Sequence, residues 1–190
     1  MIPTLYKIFQ HWSEKGSVWI VSDTHFDDAD RELMGYKVST EKHFQYITEM
    51  CHKNDTLIHL GDVGNKEYFK NIKSHKVLIL GNHDHNPGYY EGYFDEIYTG
   101  PLFIADKILL SHEPIDLPFC LNIHGHDHSE WHDWDTGLNV VPNVIGYKPI
   151  SLGKIIKSGI LSDIENIHRL AIEKQKGFVN EKISEERNSM

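Results

Sequence analysis

Aspartate, histidine and asparagine residues recur along the first two thirds of the chain in short blocks that could bind metal ions. The blocks are Asp23-Thr24-His25, Gly61-Asp62, Gly81-Asn82-His83-Asp84, Ser111-His112 and Gly125-His126-Asp127-His128. Carboxylate, carboxamide and imidazole groups without thiolates suit Mn, Fe, Zn, Co or Ni better than Ca or Cu(I). In Asp23/His25 and His126/His128 the side chains are two residues apart, so an extended backbone would direct both to one side. The two members of such a pair could therefore share a site.

Each block also has an ordinary structural interpretation. Asp23 and Asp62 could be turn residues or helix N-caps, and Asn82 after a glycine could occupy a left-handed turn. His112 could be a histidine packed at the end of a strand. The histidines of residues 122–132 could form a local chelating tract by composition alone. Taken singly, none of the blocks predicts a function.

Most of the blocks follow short apolar segments that are typical of buried strands. Strands are predicted over 17–21, 56–60 and 76–80, with helices over 41–53 and 66–74 between them. This βαβ pattern predicts a parallel sheet, and ligands of such sheets bind at the carboxyl ends of the strands. The blocks at 23, 62 and 82 would therefore meet at one edge.

The remaining segments predict the rest of an α/β domain. From residue 94 the apolar segments become shorter, which predicts mixed or antiparallel β structure. Helices are predicted over 4–14 and from a capping box at Ser162, with Gly177 just past the end of the second helix. Residues 178–190 are predicted to be a frayed tail. Without a repeat or a linker, residues 1–190 are interpreted as a single domain.

In their order along the chain, the blocks D-x-H, G-D, G-N-H-D, H and G-H-x-H resemble the signature of the calcineurin-like metallophosphoesterases. Residues 138–140 and 147–152 resemble the tail of small bacterial and phage-type members. The resemblance implies a four-layer α-β-β-α sandwich of the metallophosphoesterase type. It also implies two divalent metal ions bridged by Asp62, with the other ligands divided between them: Asp23, His25 and His128 for the first ion, and Asn82, His112 and His126 for the second. His83 would stand over the substrate phosphate as general acid or charge stabiliser, and Asp84 would help to orient it.

These roles imply hydrolysis of a phosphate mono- or diester. Two divalent ions about 3.5–4 Å apart can hold a bridging hydroxide, which would attack phosphorus. Two alternatives differ from this function: a protein-binding scaffold on the same fold, and a nuclease. A scaffold would be expected to have lost ligands or His83, all of which are kept here. A nuclease would be expected to carry a basic or aromatic-rich accessory region.

Composition limits the partners. A formal net charge of −9 argues against broad binding of nucleic acid or anionic membranes. Cys51 and Cys120 have no C-x-x-C spacing, which predicts free thiols in a reducing compartment. The N-terminus lacks the features of a signal peptide, and no apolar run reaches the roughly 18 residues of a membrane span. We expect a cytoplasmic enzyme whose substrate is a small or exposed phosphate ester.

Four residues beside the predicted ligands need separate interpretations. Asp27 and Asp28 stand where small relatives often have Gly-His, and they could either repel an additional phosphate or cap the next segment and stay solvated. His124 alternates in phase with His126, but the family pattern does not require it as a ligand, so we predict a supporting or packing role. Gly125 is predicted to allow close approach of the backbone to the ions.

Overall fold

The computed structural model describes residues 11–105, 107–129, 136–164 and 171–179, and the strands of this part form two β-sheets. The first sheet contains β1 (Val18–Val21), β2 (Thr56–His59), β3 (His75–Ile79), β4 (Glu96–Tyr98) and β9 (Ile150–Ser151). The second contains β5 (Leu102–Ala105), β6 (Ile108–Leu110), β7 (Leu121–His124) and β8 (Gly137–Asn139). Their orders are β4-β3-β2-β1-β9 and β5-β6-β7-β8. The strands predicted at 17–21, 56–60 and 76–80 are therefore confirmed to within one residue.

The pairing agrees with the predicted change from parallel to mixed β structure. Strands β1 to β4 pair in parallel, and β9 adds an antiparallel edge to β1. In the second sheet β5 and β6 are antiparallel, whereas β6, β7 and β8 are parallel. As a result, β1, β2, β3, β6 and β7 each lead into one of the polar blocks.

The helices follow the predicted order with one change of type. Helix α1 (Thr40–Met50) begins where the Ser39 side chain accepts a hydrogen bond from the Lys42 N–H. Between β2 and β3 the chain forms a 3₁₀ helix, Lys66–Asn71, rather than the α-helix predicted over 66–74. This helix ends before residue 74 because Ile72 is already extended and buried. Two short helices follow later, α2 (Pro142–Ile145) and α3 (Leu152–Lys157).

Apolar side chains cover both faces of the first sheet. One cluster joins this sheet to the second and includes Ile20, Ile58, Val77, Leu110 and Ile123. The other cluster lies on the opposite face, where Leu57 and Leu78 pack with Ile47 of α1 and Phe69. Adjacent residues of one strand thus face different clusters, as the two-residue period of a strand requires. Burial on both faces explains the continuous apolar runs, and the α/β class is confirmed.

The two ends of the chain are covered in part. Of the helix predicted over 4–14, residues 1–10 lie outside the described residues, and 11–13 are helical. At the other end, residues 162–164 are not helical and 165–170 are outside the description, so a helix start at Ser162 is wrong. Residues 171–179 are helical, so the predicted stop at Gly177 is also wrong. Gly177 does not adopt the positive φ with which a glycine ends a helix.

Two further sequence expectations can be compared with the described residues. Cys51 and Cys120 are both free, as predicted, and both are buried. Among the described helices, none combines the length and the apolar character needed to cross a membrane. The single-domain organisation and the frayed state of 180–190 stay predictions.

His43 of α1 is expected to make the protein sensitive to acid. Its ring is buried against Phe26 and Tyr147, and Nδ1 has no hydrogen-bond partner among the described residues. Burial, with a contribution from the charge of Arg31, lowers the pKa of His43 from 6.5 to about 3. Between about pH 6.5 and pH 3 the unfolded chain therefore binds a proton at His43 that the folded chain does not bind. The free energy of unfolding consequently decreases as the pH falls below about 6.5.

We expect this residue to reduce the free energy of unfolding by about 2 kcal/mol between pH 7.5 and pH 5. Urea unfolding of the metal-free protein at the two pH values would measure the loss. His43→Leu should reduce the measured loss by about 2 kcal/mol, the share of this one residue, whereas the exposed control His52→Gln should leave the loss unchanged. An equal pH dependence in wild type and His43→Leu would contradict this assignment.

Candidate metal centre

The polar blocks lie together where the strands end. The loop after β1 pairs with the loop after β2, since the Asp23 N–H donates to the Gly61 carbonyl at 2.9 Å and the His25 N–H to the Asp62 carbonyl at 3.0 Å. The block after β7 is tied to the block after β6, because the Gly125 N–H donates to the His112 carbonyl at 2.9 Å. Residues 103 positions apart in the chain are joined directly at this site, where the His126 N–H donates to Asp23 Oδ2.

Two groups of side chains at this site could each hold a metal ion. The first consists of Asp23, His25 and His128, and the second of Asp62, His112 and His126; within each group, one potential ligand atom per residue lies within 4.8 Å of the others. Asn82 joins the second group, because its Oδ1 lies 2.8 Å from His112 Nε2 and 3.0 Å from His126 Nδ1. The structure thus brings together the same side chains that the family resemblance divides between two ions, with His126 and His128 in different groups; their role as ligands stays a prediction.

Asp62 lies between the two groups. Its Oδ2 is 3.5 Å from His25 Nε2 in the first group and 3.4 Å from His112 Nε2 in the second. Its Oδ1 accepts a hydrogen bond from the His83 N–H at 2.9 Å. A carboxylate that bridges two ions has to occupy this intermediate position.

The donor atoms of the first group fit a cation. Asp23 Oδ1 and His25 Nε2 are buried and have no hydrogen-bond partner among the described residues. Burial also raises the pKa of the Asp23 carboxyl to about 8, which reflects the cost of its charge in this environment. A divalent ion near Asp23 Oδ1 and His128 Nε2, which are 3.6 Å apart, would compensate both costs.

The histidines are held in the form that binds metals. Burial lowers the pKa of His25 and His112 and lowers that of His128 to about 4, so the neutral imidazole is favoured. His25 Nδ1 lies 3.2 Å from Asp28 Oδ2, and His112 Nδ1 lies 2.8 Å from the Leu60 carbonyl. With Nδ1 donating to these acceptors, Nε2 carries the free lone pair towards the site.

Asp28 is thus a candidate for a role in orienting a ligand, which neither of its two sequence interpretations, repulsion of a phosphate or capping, includes. It does accept the Asp30 N–H through Oδ1, but its other oxygen orients His25. Asp27 has a different role, because its carboxylate accepts hydrogen bonds from Asn65 at 2.7 Å and Tyr68 at 3.2 Å. Asp27 therefore connects the loops after β1 and β2.

Several candidate ligands have a left-handed backbone. The φ angles are 47° at Asp23, 39° at His25, 58° at Asp62 and 67° at His126. Positive φ is uncommon outside glycine and costs free energy, and such residues concentrate at functional sites. The extended backbone predicted for the D-x-H and H-x-H pairs is therefore wrong. Their side chains converge because the chain turns at these residues.

Two buried side chains hold the turn after β1. The Arg31 guanidinium donates to the carbonyls of Thr24 and His25, and also to the Val38 carbonyl. The Tyr36 hydroxyl donates to the Asp23 carbonyl. These bonds satisfy backbone groups that the turn leaves outside regular structure, and they help to offset its strain. The sequence contains no signal for them, since both residues act on the backbone from outside the block.

His83 lies at the exposed rim of the site, and Asp84 lies at its base. The His83 ring is exposed, with its centroid 5.6 Å from that of His25. Asp84 is predicted to orient His83, but its carboxylate accepts four other hydrogen bonds: from the N–H groups of Gly81, Asp62 and Val63 and from the Tyr90 hydroxyl. Asp84 therefore fixes the two ligand loops against each other.

His124 is buried, belongs to neither ligand group, and has Nδ1 2.9 Å from the Gly125 carbonyl, which agrees with its predicted packing role.

Gly125 is expected to be essential for the first ligand group. A Cβ at this position would lie 1.8 Å from Ser22 Oγ and 2.1 Å from Asp23 Oδ2. The glycine thus makes room for the Asp23 side chain, rather than for the ions themselves as the sequence suggests. Gly125→Ala should lower the free energy of unfolding by about 1–3 kcal/mol and displace Asp23.

Metal titration of Gly125→Ala should consequently give one ion per chain, against the two ions expected for the wild type. Gly177→Ala is the matched control, because a Cβ there meets no atom within 4 Å. Wild-type stoichiometry in Gly125→Ala would show that Asp23 does not need this space.

Comparison with known proteins gives remote similarities. No protein-family model matches the chain. An uncharacterized protein of Methanocaldococcus jannaschii, MJ1445, is 28% identical over 166 aligned positions, which cover 74% of this chain and 89% of the relative. The crystal structure of a protein of unknown function from Aquifex aeolicus, AQ665, has a TM-score of 0.60 at 27% identity and covers 74% of this chain and 98% of that one. The nuclease MPE of Pseudomonas putida has a TM-score of 0.43 at 24% identity over 57% of this chain and 60% of that one, a likeness too remote to bear on function. The described chain is thus similar to proteins of mixed α/β fold, and it carries two groups of residues that could hold metal ions.

Proposed function

We propose that the protein is a metal-dependent phosphoric ester hydrolase of the calcineurin-like metallophosphoesterase type. The observation that carries the proposal is the pair of ligand groups with the Asp62 carboxylate between them. The proposal includes the four-layer α-β-β-α sandwich, a pair of divalent transition-metal ions and a cytoplasmic location. Its substrate is a phosphate ester of a small or exposed molecule.

The chain supplies the positioning groups and the proton that this hydrolysis needs. A pair of divalent ions, when bound, would neutralise charge on the phosphate oxygens and acidify a water molecule. Asp62, fixed through Oδ1 by the His83 N–H, sets the spacing of the two ligand groups. Asp28 and the Leu60 carbonyl orient the imidazoles of His25 and His112.

Hydrolysis of the ester needs one proton donor from the protein, and we assign this role to His83. The water oxygen forms a bond to phosphorus, and the bond between phosphorus and the leaving oxygen breaks. The protonated His83 ring, exposed beside His25, gives its proton to the leaving oxygen. The proton released by the attacking water returns to His83 through solvent, so the products are one phosphate and one alcohol.

The alternative of a protein-binding scaffold is not favoured by the energetics of the site. The uncompensated atoms Asp23 Oδ1 and His25 Nε2 and the left-handed residues all cost stability. A protein-binding scaffold would gain nothing from a group of residues that lowers its stability in this way. A metal-binding enzyme recovers them when the ions bind.

A single assay tests the proposed function. The purified protein would be stripped of metal, reloaded with Mn, Zn, Fe, Co or Ni, and assayed with p-nitrophenyl phosphate, bis-p-nitrophenyl phosphate, cyclic nucleotides and single-stranded DNA. We expect turnover of at least one small ester with at least one metal and none in the stripped protein. Absence of turnover with every metal would reject the enzyme.

A further inference from the structure

A pocket of about 290 Å³ lies beside the second ligand group. Asn82 and His112 of that group form part of its wall, and the remainder comes from residues 79–81, residues 99–101, Ser111, Glu113 and Ile115. At about 30 Å³ per water molecule, the pocket has room for roughly ten water-sized groups. That space corresponds to about one ring with its substituents.

The lining favours an uncharged occupant. Among the described residues that form the wall, none is Lys or Arg, and the exposed Glu113 adds a negative charge. Leu80, Pro101 and Ile115 contribute aliphatic surface. A second phosphate would be repelled here, whereas an uncharged organic group could bury apolar surface against the aliphatic side chains.

The position of His83 separates this pocket from the leaving group. Asn82 lines the pocket, but the ring of the next residue, His83, lies beside His25 in the first ligand group and is not part of the pocket wall. Because His83 protonates the leaving oxygen in the proposed function, the leaving group lies towards the first group. The pocket beside the second group is then available to a substituent that stays on phosphorus.

We propose that the substrate is a phosphodiester whose retained substituent is uncharged, is about one ring in size and occupies this pocket. The inference rests on the proposed function. Water adds to phosphorus, the bond to the leaving alcohol breaks, and the products are that alcohol and a phosphomonoester that keeps the substituent in the pocket. A phosphomonoester substrate has no retained substituent and leaves the pocket unused.

Gly100 offers a way to fill the pocket without disturbing the metal ligands. It lines the pocket, its φ is outside the left-handed region, and a Cβ there meets no atom within 4 Å. Gly100→Leu should therefore fold normally and occupy part of the space. Gly177→Leu is the matched control, because it adds the same side chain at an open position in the helix of residues 171–179.

Three esters with the same leaving group provide the kinetic test: bis-p-nitrophenyl, methyl p-nitrophenyl and p-nitrophenyl phosphate. They retain a ring, a methyl group and no substituent, respectively. We expect Gly100→Leu in the metal-loaded protein to lower kcat/KM about tenfold for the first ester and less than about threefold for the others. Gly177→Leu should change none of them.

Binding of non-hydrolysable phosphonates gives a second readout. By calorimetry, the metal-loaded wild type should bind phenylphosphonate about tenfold more tightly than methylphosphonate, and Gly100→Leu should lose this difference. An equal loss of activity on all three esters would place the leaving group in the pocket and overturn the proposal. Turnover of p-nitrophenyl phosphate without turnover of either diester would also overturn it while leaving the proposed function intact. If no ester is hydrolysed with any metal, the proposed function itself has failed.

Discussion

Asp62→Asn is expected to remove metal binding and activity together while the fold persists. The substitution keeps the shape of the side chain, and an amide oxygen can still accept the hydrogen bond from the His83 N–H. It removes the negative charge that lies 3.5 Å from His25 and 3.4 Å from His112. We expect at least about a 100-fold loss of metal affinity and about a 1,000-fold loss of kcat/KM.

Stability measurements separate this effect from misfolding. Burial raises the pKa of Asp23, and the charge of Asp62 adds to this effect, so the substitution removes an interaction that disfavours the ionised form of Asp23. The metal-free variant should therefore be at least as stable to urea as the metal-free wild type. Added metal should stabilise the wild type and not the variant, because only binding to the folded state shifts the unfolding equilibrium.

Asp116→Asn is a matched control, since it removes one carboxylate at an exposed position of the described chain. It should bind metal and turn over substrate as the wild type does. If Asp62→Asn bound two ions with unchanged affinity, Asp62 would not be the bridge and the division of ligands would have to be redrawn.

The sequence predicts the strands and the meeting of the blocks because both depend on short-range patterns. Continuous apolar runs at 17–21, 56–60 and 76–80 can be buried only in a sheet covered on both faces, and each ends directly in a polar block. The carboxyl ends of neighbouring parallel strands then have to lie side by side. That reasoning places Asp23, Asp62 and Asn82 together without any knowledge of the loops.

The sequence does not predict how the loops achieve this geometry. The left-handed turns at Asp23 and His25 are held by hydrogen bonds that the Arg31 and Tyr36 side chains donate to the carbonyls of these two residues. Such contacts between a side chain and a backbone further back in the chain leave no local pattern. The second role of Asp28 could have been suspected, since an acidic residue three positions after a histidine can reach its ring across a turn. The helix end predicted at Gly177 is wrong for a simpler reason: a glycine commonly ends a helix by taking positive φ, and the presence of a glycine does not fix φ.

His83→Ala is expected to keep both ions and lose rate. His83 belongs to neither ligand group, and its N–H bond to Asp62 comes from the backbone, which alanine retains. Metal affinity should therefore stay within about threefold of the wild type. Loss of a general acid should lower kcat by about 100- to 10,000-fold.

The size of that loss should depend on the leaving group. An alkoxide needs a proton to depart, whereas p-nitrophenolate is stable enough to leave without one, so His83→Ala should slow methyl esters far more than p-nitrophenyl esters. The exposed His85, two residues further along, supplies the control: His85→Ala should leave both rates unchanged. An equal loss for both kinds of ester would mean that His83 stabilises charge and does not donate the proton. If His83→Ala also lost metal, His83 would be a ligand. The position of the leaving group beside the first ligand group, which we infer from His83, would then no longer be supported.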